Sequence, residues 1–251
     1  MGCMDVRRER GTGPDLASVA ALLADGTRAG FCVALLDGRA WTATELARHM
    51  GVARSTATEH LHALVRGNLL AEERQGRHRY VRLAGPQVAE VIESLAALAP
   101  ERAASPRTLS GAGRRRALAH ARTCYDHLAG ALGVAVADAM IERRLLDPEH
   151  GLGLTGAGAE WLAGLGVTVP AGTRRPSVRP CLDWTERRPH LAGAVGGALC
   201  RHAFDEGWVV RVGTTRAVTV TPHGREALHR HLGLSAELFG ETGQASCRTL
   251  G

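Results

Sequence analysis

The spacing of apolar residues predicts three short helices before residue 52. Apolar side chains at positions 16, 19, 20 and 23 lie at i, i+3, i+4 and i+7, which predicts an amphipathic helix that ends at Asp25-Gly26. The stretch TRAGFCVALLDG, residues 27–38, predicts a second helix with Phe31, Cys32 and Leu35 turned inward. Thr42 and Glu45 have capping-box spacing, so a third helix is expected to begin there and to end at Gly51.

A fourth helix is predicted from Arg54 to about Gly67. Its apolar positions Ala57, Leu61, Leu64 and Val65 line one face. The opposite face is polar and carries Arg54, Ser55, Thr58, Glu59 and His62. Two short helices joined by a glycine-containing turn of this length are typical of a helix-turn-helix.

The next segment predicts a hairpin and a last helix. LLAEERQGRHRYVRL, residues 69–83, favours two strands around Gln75-Gly76, with Leu70, Val81 and Leu83 inward. Basic side chains crowd the tip of this predicted β-wing, namely Arg74, Arg77, His78 and Arg79. Pro86 then begins a helix whose apolar stripe, Val88, Val91, Ile92, Leu95 and Leu98, is expected to pack against a second copy of the chain.

The segment PERAASPRTLSGAG, residues 100–113, predicts a linker, because it combines prolines, glycines and small polar residues. The sequence therefore predicts two domains, at 15–99 and 114–235. The ends, 1–14 and 236–251, lack sustained periodicity and are expected to be disordered.

The second domain contains an internal repeat. HLAGALG at 127–133 matches HLAGAVG at 190–196, and the alignment extends through segments 114–168 and 179–235. Each copy predicts a long helix, a short β-hairpin and a further helix, capped by Thr155 or Thr221. The predicted fold is mainly α with small β-hairpin wings (α+β). It comprises an N-terminal winged-helix domain and a pseudo-twofold C-terminal domain of two winged-helix-like repeats.

Each copy opens with a Cys/Asp/His motif, RTCYDHLAG at 122–130 and RPCLDWTERRPHLAG at 179–193. A pseudo-twofold axis could bring the two motifs together. The candidate effector residues are Cys124, Tyr125, Asp126, His127, Cys181, Asp183, Trp184 and His190. Three interpretations stay open. The residues are structural at two helix starts, they line a small-molecule pocket with nearby aromatic residues, or they carry metal or thiol chemistry. A transition metal would be held by Cys124, His127, Cys181 and His190.

Composition narrows the class of protein. The 251 residues carry a net charge of +6 with no lysine, which permits a polyanionic partner. No window approaches 18 uninterrupted apolar residues, and the N-terminus has no secretory apolar core, so a cytoplasmic protein without a membrane partner is expected. The six cysteines have irregular spacing, which favours reduced thiols.

The segment ELARHMGVARSTATEHLHALVRGNLLAEERQGRHRYVRL, residues 45–83, resembles winged-helix repressors of the ArsR/SmtB type. The resemblance implies that Arg54, Ser55, Thr56, Thr58 and Glu59 face the major groove of DNA. It also implies that Arg74, Arg77 and Arg79 reach phosphates or the minor groove, and His62 and His78 lie on the same predicted surface. Metal-sensing members often carry cysteines before the recognition helix or Asp and His on the last helix. This chain has Glu45 to His49 and Glu90 with Glu93 there, so no metal site is expected in the N-terminal domain.

These features predict a homodimeric DNA-binding transcriptional repressor that reads two operator half-sites about one helical turn apart. Its C-terminal domain is expected to dimerise and to respond to a small molecule or to a metal or thiol signal. Two other classes remain as alternatives. One is a winged-helix protein-interaction module, and the other is a thiol-dependent enzyme with Cys124 or Cys181 as nucleophile. Because no signature of a cysteine nucleophile is present, the chain is not expected to be an enzyme.

Overall fold

The computed structural model describes residues 13–76, 78–100, 109–149, 152–170 and 176–239. The helices are α1 (Leu16–Leu23), α2 (Gly26–Ala34), α3 (Ala43–Met50), α4 (Arg54–Arg66), α5 (Pro86–Leu98), α6 (Leu109–His120), α7 (Gly130–Glu142), α8 (Gly156–Gly164), α9 (Gly193–Asp205) and α10 (Pro222–Leu232). Two 3-10 segments cover Leu35–Asp37 and Ala236–Phe239. The strands are β1 (Trp41–Thr42), β2 (Leu70–Gln75), β3 (His78–Leu83), β4 (Arg122–Cys124), β5 (His127–Ala129), β6 (Leu146–Asp147), β7 (Gly153–Leu154), β8 (Arg179–Leu182), β9 (Pro189–Ala192), β10 (Val209–Arg211) and β11 (Val218–Val220).

Local capping sets the helix boundaries of the first domain. Asp25 accepts hydrogen bonds from the backbone N–H groups that open α2. The capping box of α3 is complete, since the Thr42 N–H donates to Oε2 of Glu45 at 2.7 Å and the Glu45 N–H donates to Oγ1 of Thr42 at 3.2 Å. Gly51 ends α3 with a φ of 68°, a left-handed conformation that glycine adopts without strain. The predicted helix-turn-helix is confirmed by α3 and α4.

The predicted wing is confirmed as an antiparallel hairpin of β2 and β3, with six residue pairs from Leu70 opposite Leu83 to Gln75 opposite His78. Strand β1 pairs with β3 and completes a sheet of order β1-β3-β2. The core beneath it is formed by Phe31, Cys32, Leu35, Leu36, Trp41, Leu46, Leu61, Leu64, Leu70 and Val81. The N-terminal domain is a winged helix.

The second domain repeats one order of elements. Hairpin, long helix, hairpin and shorter helix occur as β4-β5-α7-β6-β7-α8 and again as β8-β9-α9-β10-β11-α10. Thr155 and Thr221 cap the last helix of each half, as predicted. One buried core joins the halves, with Leu132, Met140, Leu162, Leu191, Val195, Leu199, Val209 and Leu228 among its members. This arrangement is compatible with the predicted duplication.

Three boundary predictions are corrected. The Cys/Asp/His motifs do not begin helices, because β4-β5 and β8-β9 fold them into hairpins that precede α7 and α9. The predicted linker of 100–113 is wrong at its end, since residues from Leu109 onward belong to α6. The predicted tail of 236–251 is wrong at its start, because the 3-10 segment Ala236–Phe239 buries Phe239 against the core. The disorder predicted for 1–12 and 240–251, and the wing residue Arg77, lie outside the described residues.

The two domains contact each other directly. Trp184, between β8 and β9, packs against the core of the winged helix. Arg216, between β10 and β11, donates its backbone N–H to the Asp37 carbonyl at 2.8 Å and its Nε to the Leu36 carbonyl at 2.6 Å. Residues just after α2 are thereby bonded to the second domain.

No single helix in the described part of the chain is both long and apolar enough to cross a membrane. Leu16–Leu23 and Gly26–Asp37 reach that length and composition only as a pair bent by 86°.

Candidate functional site

The start of α4 presents a polar surface, as predicted. Arg54, Ser55 and Glu59 are exposed, and Thr56, Thr58 and His62 are half-buried. The opposite face is held in the core by Ala57, Leu61 and Leu64, which are buried. Because the apolar stripe fixes the rotation of the helix, the polar side chains at its N-terminal end face away from the domain.

The wing lies beside this helix and is linked to it through Arg79. Nη1 of Arg79 lies 2.9 Å from Nε2 of His62 on α4, and Nη2 forms an ion pair with Glu72 on β2. Arg74 and His78 are exposed on the same hairpin. A surface groove between α3, α4 and the wing is lined by Thr42, Thr44, Glu45, Arg54, Thr58, His62, His78 and Arg79 among others. Five of the predicted recognition-helix and wing residues thus line one groove, namely Arg54, Thr58, His62, His78 and Arg79. Arg77 is not among the described residues.

The hairpins of the second domain place one cysteine opposite one histidine. Cys124 pairs with His127 across β4 and β5, and Cys181 pairs with His190 across β8 and β9. Directly opposed residues of an antiparallel pair project to the same side. The cysteine and histidine are three positions apart in the first hairpin and nine apart in the second, yet both hairpins form an equivalent Cys–His pair. The sequence repeat matches Cys124 with Cys181 and His127 with His190, and the hairpins show how each cysteine meets its histidine.

The two pairs meet in what we call the Cys/His cluster: Cys124, His127, Cys181 and His190. One ligand atom from each residue lies within 4.8 Å of every other. The two Nε2 atoms of the histidines are 3.1 Å apart. Cys124, His127 and His190 are at most 2% exposed, and Cys181 is half-buried.

A carboxylate lies beside Nδ1 of each histidine of the cluster. Nδ1 of His127 lies 3.3 Å from Oδ1 of Asp126. Nδ1 of His190 lies 3.2 Å from Oδ2 of Asp183, a short contact that is not aligned as a hydrogen bond. Burial raises the pKa of Asp183, but the neighbouring His190 and the charge of Arg122 outweigh burial, so the net pKa lies well below its usual range. Burial lowers the pKa of His190, whereas Asp183 and Cys124 raise it, and the net shift is upward.

The thiols of the described residues differ in acidity. The contact with Cys181 and burial raise the pKa of Cys124 far above its ordinary value. The reciprocal contact with Cys124 lowers the pKa of Cys181. Cys32 and Cys200 lie outside the cluster, and burial raises their pKa values to about 11 and about 12. Since only the thiolate is nucleophilic, Cys32 and Cys200 are inert core residues.

Two glycines let the halves of the domain approach each other. A Cβ on Gly133 of α7 would lie 2.5 Å from the Leu128 carbonyl oxygen and 3.5 Å from Cβ of His190. A Cβ on Gly196 of α9 would lie 2.4 Å from the Leu191 carbonyl oxygen and 3.3 Å from Cβ of His127. The matched HLAG-x-x-G stretches therefore serve close packing, each glycine beside the histidine of the other half.

Charged residues that the sequence did not single out as site residues surround the cluster. Arg122 is fully buried and donates to Oδ2 of Asp183 at 3.0 Å. Sγ of Cys124 donates to Oε2 of Glu93 on α5 at 2.8 Å, and Nη2 of Arg216 donates to Oε1 of Glu93 at the same distance. Glu93 was noted only as a poor metal ligand. Its contacts depend on how the two domains pack, and no local sequence signal marks them.

The other predicted effector residues are not gathered around one pocket. Tyr125 is 56% exposed at the turn of the first hairpin. Trp184 packs on the winged-helix core, and Trp208 stacks on His231. These aromatic side chains therefore have different surroundings, and the predicted small-molecule pocket stays a prediction. Asp183 does bond backbone at a helix start, accepting from the Gly130 N–H at 2.7 Å, but that helix, α7, belongs to the other half.

One known protein resembles this chain over most of its length, and others resemble its first domain. A helix-turn-helix domain family matches residues 23–73. The HTH-type transcriptional regulator YdfF of Bacillus subtilis (strain 168) is 39% identical over 222 residues, which cover 87% of this chain and 97% of that protein. The chain belongs to the HTH-type transcriptional regulators. The prediction of a DNA-binding transcriptional regulator with an N-terminal winged helix is confirmed.

Solved structures similar to this HTH-type regulator match its N-terminal third. The winged helix-turn-helix domain of Mb0332 from Mycobacterium bovis, a possible ArsR-family regulator, is 31% identical with a TM-score of 0.32, over 35% of this chain and 81% of that one. The cadmium metal-sensor CMTR from Mycobacterium tuberculosis is 31% identical with a TM-score of 0.30, over 38% of this chain and 99% of that one.

Proposed function

We propose that this regulator holds operator DNA on the surface shared by the start of α4 and the wing. The observation that carries the proposal is the continuity of that surface, where Arg54, Thr58 and His62 of α4 line one groove with His78 and Arg79 of the wing. Arg and hydroxyl side chains at a helix start suit base edges and phosphates in the major groove. Basic wing residues add affinity by releasing counterions from the phosphate backbone.

We assign the remaining predicted contacts to the same surface. Ser55, Thr56 and Glu59 lie on α4, and Arg74 lies on the wing, opposite Arg79 in the hairpin. Among these, Glu59 carries the charge that DNA phosphates repel. We therefore assign it to base reading, where a carboxylate can accept a hydrogen bond from cytosine N4.

We further propose that the regulator works as a homodimer. Val91, Leu95 and Leu98 of α5 are 50%, 48% and 75% exposed, although Ile92 on the same helix is buried in the core. A second copy packed on this exposed face would hide it from water and would set two recognition helices side by side. Such a dimer would read paired half-sites and act as a cytoplasmic repressor.

The second domain is proposed to carry the regulatory signal rather than a reaction. Its buried residues contact α5 through Glu93, and α5 also bears the proposed dimer face. A signal in the second domain therefore has a direct route to the element that spaces the recognition helices.

The test is DNA binding by the full chain. Fluorescence anisotropy with the DNA upstream of the chain's own coding region should give a dissociation constant far below that for a scrambled fragment. Arg54→Ala should weaken binding to the upstream DNA by about 5- to 150-fold and reduce the preference over scrambled DNA. Arg230→Ala, an exposed arginine on α10 paired with Glu226, is the matched control and should change neither value. Equal affinity for both fragments, unchanged by Arg54→Ala, would contradict the proposal and favour a protein-interaction module.

A further inference from the structure

We propose that the Cys/His cluster binds one tetrahedral divalent ion of the Zn²⁺ class, and that Glu93 reports its occupancy to the winged helix. The proposed role of Glu93 rests on the proposed DNA-binding function. The proposed metal site rests on the Cys/His cluster alone, in a domain that the family resemblance does not cover.

The donor set fits such an ion. Tetrahedral Zn²⁺ takes thiolate sulfur at about 2.3 Å and imidazole nitrogen at about 2.0–2.1 Å, which places neighbouring donors about 3.3–3.8 Å apart. The Nε2 atoms of His127 and His190 are already 3.1 Å apart, and no ligand atom of the cluster is more than 4.8 Å from another. Closing on an ion thus needs a contraction of about 1 Å at most between the farthest donors.

The two histidines are oriented as metal ligands usually are. Each turns Nδ1 toward a carboxylate, that of Asp126 or that of Asp183, and turns Nε2 toward the other histidine. A carboxylate favours a proton on Nδ1, which leaves both Nε2 atoms with lone pairs. Two buried lone pairs at 3.1 Å repel unless a proton or a metal ion lies between them. Carboxylates behind ligating histidines are the common outer shell of zinc sites.

Charge also balances in this site. One divalent ion with two thiolates and two neutral imidazoles is neutral, which suits a position where three of the four ligands are almost fully buried. On binding, the ion takes the place of the proton on each thiol and of any proton between the Nε2 atoms. These protons pass to solvent, and no oxidant or reductant is required. Cys181 is the half-buried ligand, so the ion reaches the cluster from its side.

Binding of the ion changes the hydrogen bonding of the Glu93 carboxylate. In the metal-free protein Sγ of Cys124 donates a proton to Oε2 of Glu93 at 2.8 Å. A metal-bound thiolate has no proton to donate, so this hydrogen bond is lost and the carboxylate faces a sulfur that carries negative charge. Glu93 is held on its other oxygen by Arg216, which is bonded to the carbonyl of Leu36. The change at the sulfur therefore reaches both α5 and the segment after α2.

The experiment is a titration of the full chain with Zn²⁺ and, as a spectroscopic probe, with Co²⁺, after removal of metal under reducing conditions. Cys3 and Cys247 are replaced by serine in all samples, so that only the four described cysteines remain. We expect one ion per chain, and with Co²⁺ the intense visible bands of tetrahedral coordination together with thiolate-to-metal charge transfer. Cys181→Ser and His190→Ala should each weaken binding by at least about 100-fold. Cys200→Ser, which removes a buried thiol outside the cluster, should bind as the parent does.

The effect of the ion on DNA binding is measured on the same samples by fluorescence anisotropy with the upstream DNA. One equivalent of Zn²⁺ should change the affinity for the upstream DNA by about 5- to 150-fold. Glu93→Gln, which keeps the shape of the side chain, should still bind one ion but should lose this change, whereas Glu226→Gln, at an exposed position on α10, should keep it. Absence of stoichiometric binding, binding that survives both ligand variants, or a Cys124–Cys181 disulfide as the stable form under these conditions would overturn the metal site. Stoichiometric binding with no effect on DNA affinity in the parent would overturn the coupling. If neither the metal-free nor the metal-bound protein binds the upstream DNA, the DNA-binding proposal fails. The ion titration still tests the metal site in that case.

Discussion

Sγ of Cys124 lies 2.8 Å from Oε2 of Glu93, which joins the first hairpin of the second domain to the last helix of the winged helix. Arg216 and Arg122 approach the other oxygen of the same carboxylate, at 2.8 Å and 3.8 Å. Arg179 of the second hairpin pairs with Glu90, one turn earlier on α5, at 2.6 Å. Both hairpins therefore hold the same helix, and a change at either one acts on α5.

Arg122 should be among the costliest side chains to remove. Arg122→Ala would leave the carboxylate of Asp183 buried without its guanidinium partner, which costs about 3–5 kcal/mol when one partner of a buried pair is lost. The measurement is the free energy of unfolding from urea denaturation. Arg188→Ala is the control, because Arg188 pairs with Asp138 at 2.8 Å on the surface, where such a pair contributes less than about 1 kcal/mol. An Arg122→Ala cost no larger than that of the control would refute the buried network.

Gly133 and Gly196 should tolerate no side chain, because each helix packs tightly against the hairpin that precedes it. Gly133→Ala and Gly196→Ala should each destabilise the protein by about 1–3 kcal/mol, because the added methyl would meet a backbone carbonyl within 2.5 Å. Gly156→Ala, in the first turn of α8 with nothing within 4 Å, should be neutral or slightly stabilising. Thermal unfolding of the three variants decides the point. Equal midpoints for all three would show that the hairpins do not pack so closely against α7 and α9.

Substitution on the exposed face of α5 should separate the proposed dimer. Leu95→Asp puts a charge on a side chain that is 48% exposed in the single chain and would be buried between copies. Light scattering after size exclusion should show a dimer for the parent and a monomer for Leu95→Asp. Val212→Asp, at a 40% exposed apolar position in the second domain, should remain a dimer. A parent chain that runs as a monomer at all accessible concentrations contradicts the proposed assembly.

The N-cap of α2 should give a pH-dependent contribution to stability. The Asp25 carboxylate accepts from the N–H groups of Arg28 and Thr27, and the bond from Arg28 is the largest influence on its pKa, which is lowered. A lowered carboxyl pKa adds stability above the unfolded value of about 3.9, and this stability is lost as the pH falls through the folded pKa. Asp25→Ala should therefore cost about 0.5–2 kcal/mol at neutral pH and less near pH 3. Asp25→Asn caps without titrating. If unfolding shows the same cost for the alanine variant at both pH values, the charged cap is not responsible.

The sequence carried more information about the first domain than about the second. Thr42 with Glu45, Gly51 and the Gln75-Gly76 turn are local signals, and each marks a boundary that the structure has. The apolar spacing of α4 also fixed which face of that helix is polar. These features depend on contacts within a few residues, so spacing alone predicts them.

The hairpins of the second domain depended on contacts that sequence spacing does not encode. In RTCYDHLAG, β4 and β5 are three residues each, too short for an alternating pattern to stand out. Arg122 and Asp183 are 61 positions apart, and Cys124 and Glu93 are 31 apart, so their pairing follows from how the domains pack. The repeat did reveal that the two Cys/Asp/His motifs are equivalent, and the structure brings them together.

The measurement that tests the central claim most directly is the salt dependence of binding to the upstream DNA by the parent and by Arg74→Ala. Arg74 is exposed on the wing, and removal of one phosphate contact should reduce the slope of log affinity against log salt by about one. The account predicts a steep slope for the parent, a slope shallower by about one for Arg74→Ala, and no change for Arg230→Ala. A parent slope near zero, or one that Arg74→Ala leaves as it was, would contradict the claim that this regulator holds DNA with its wing.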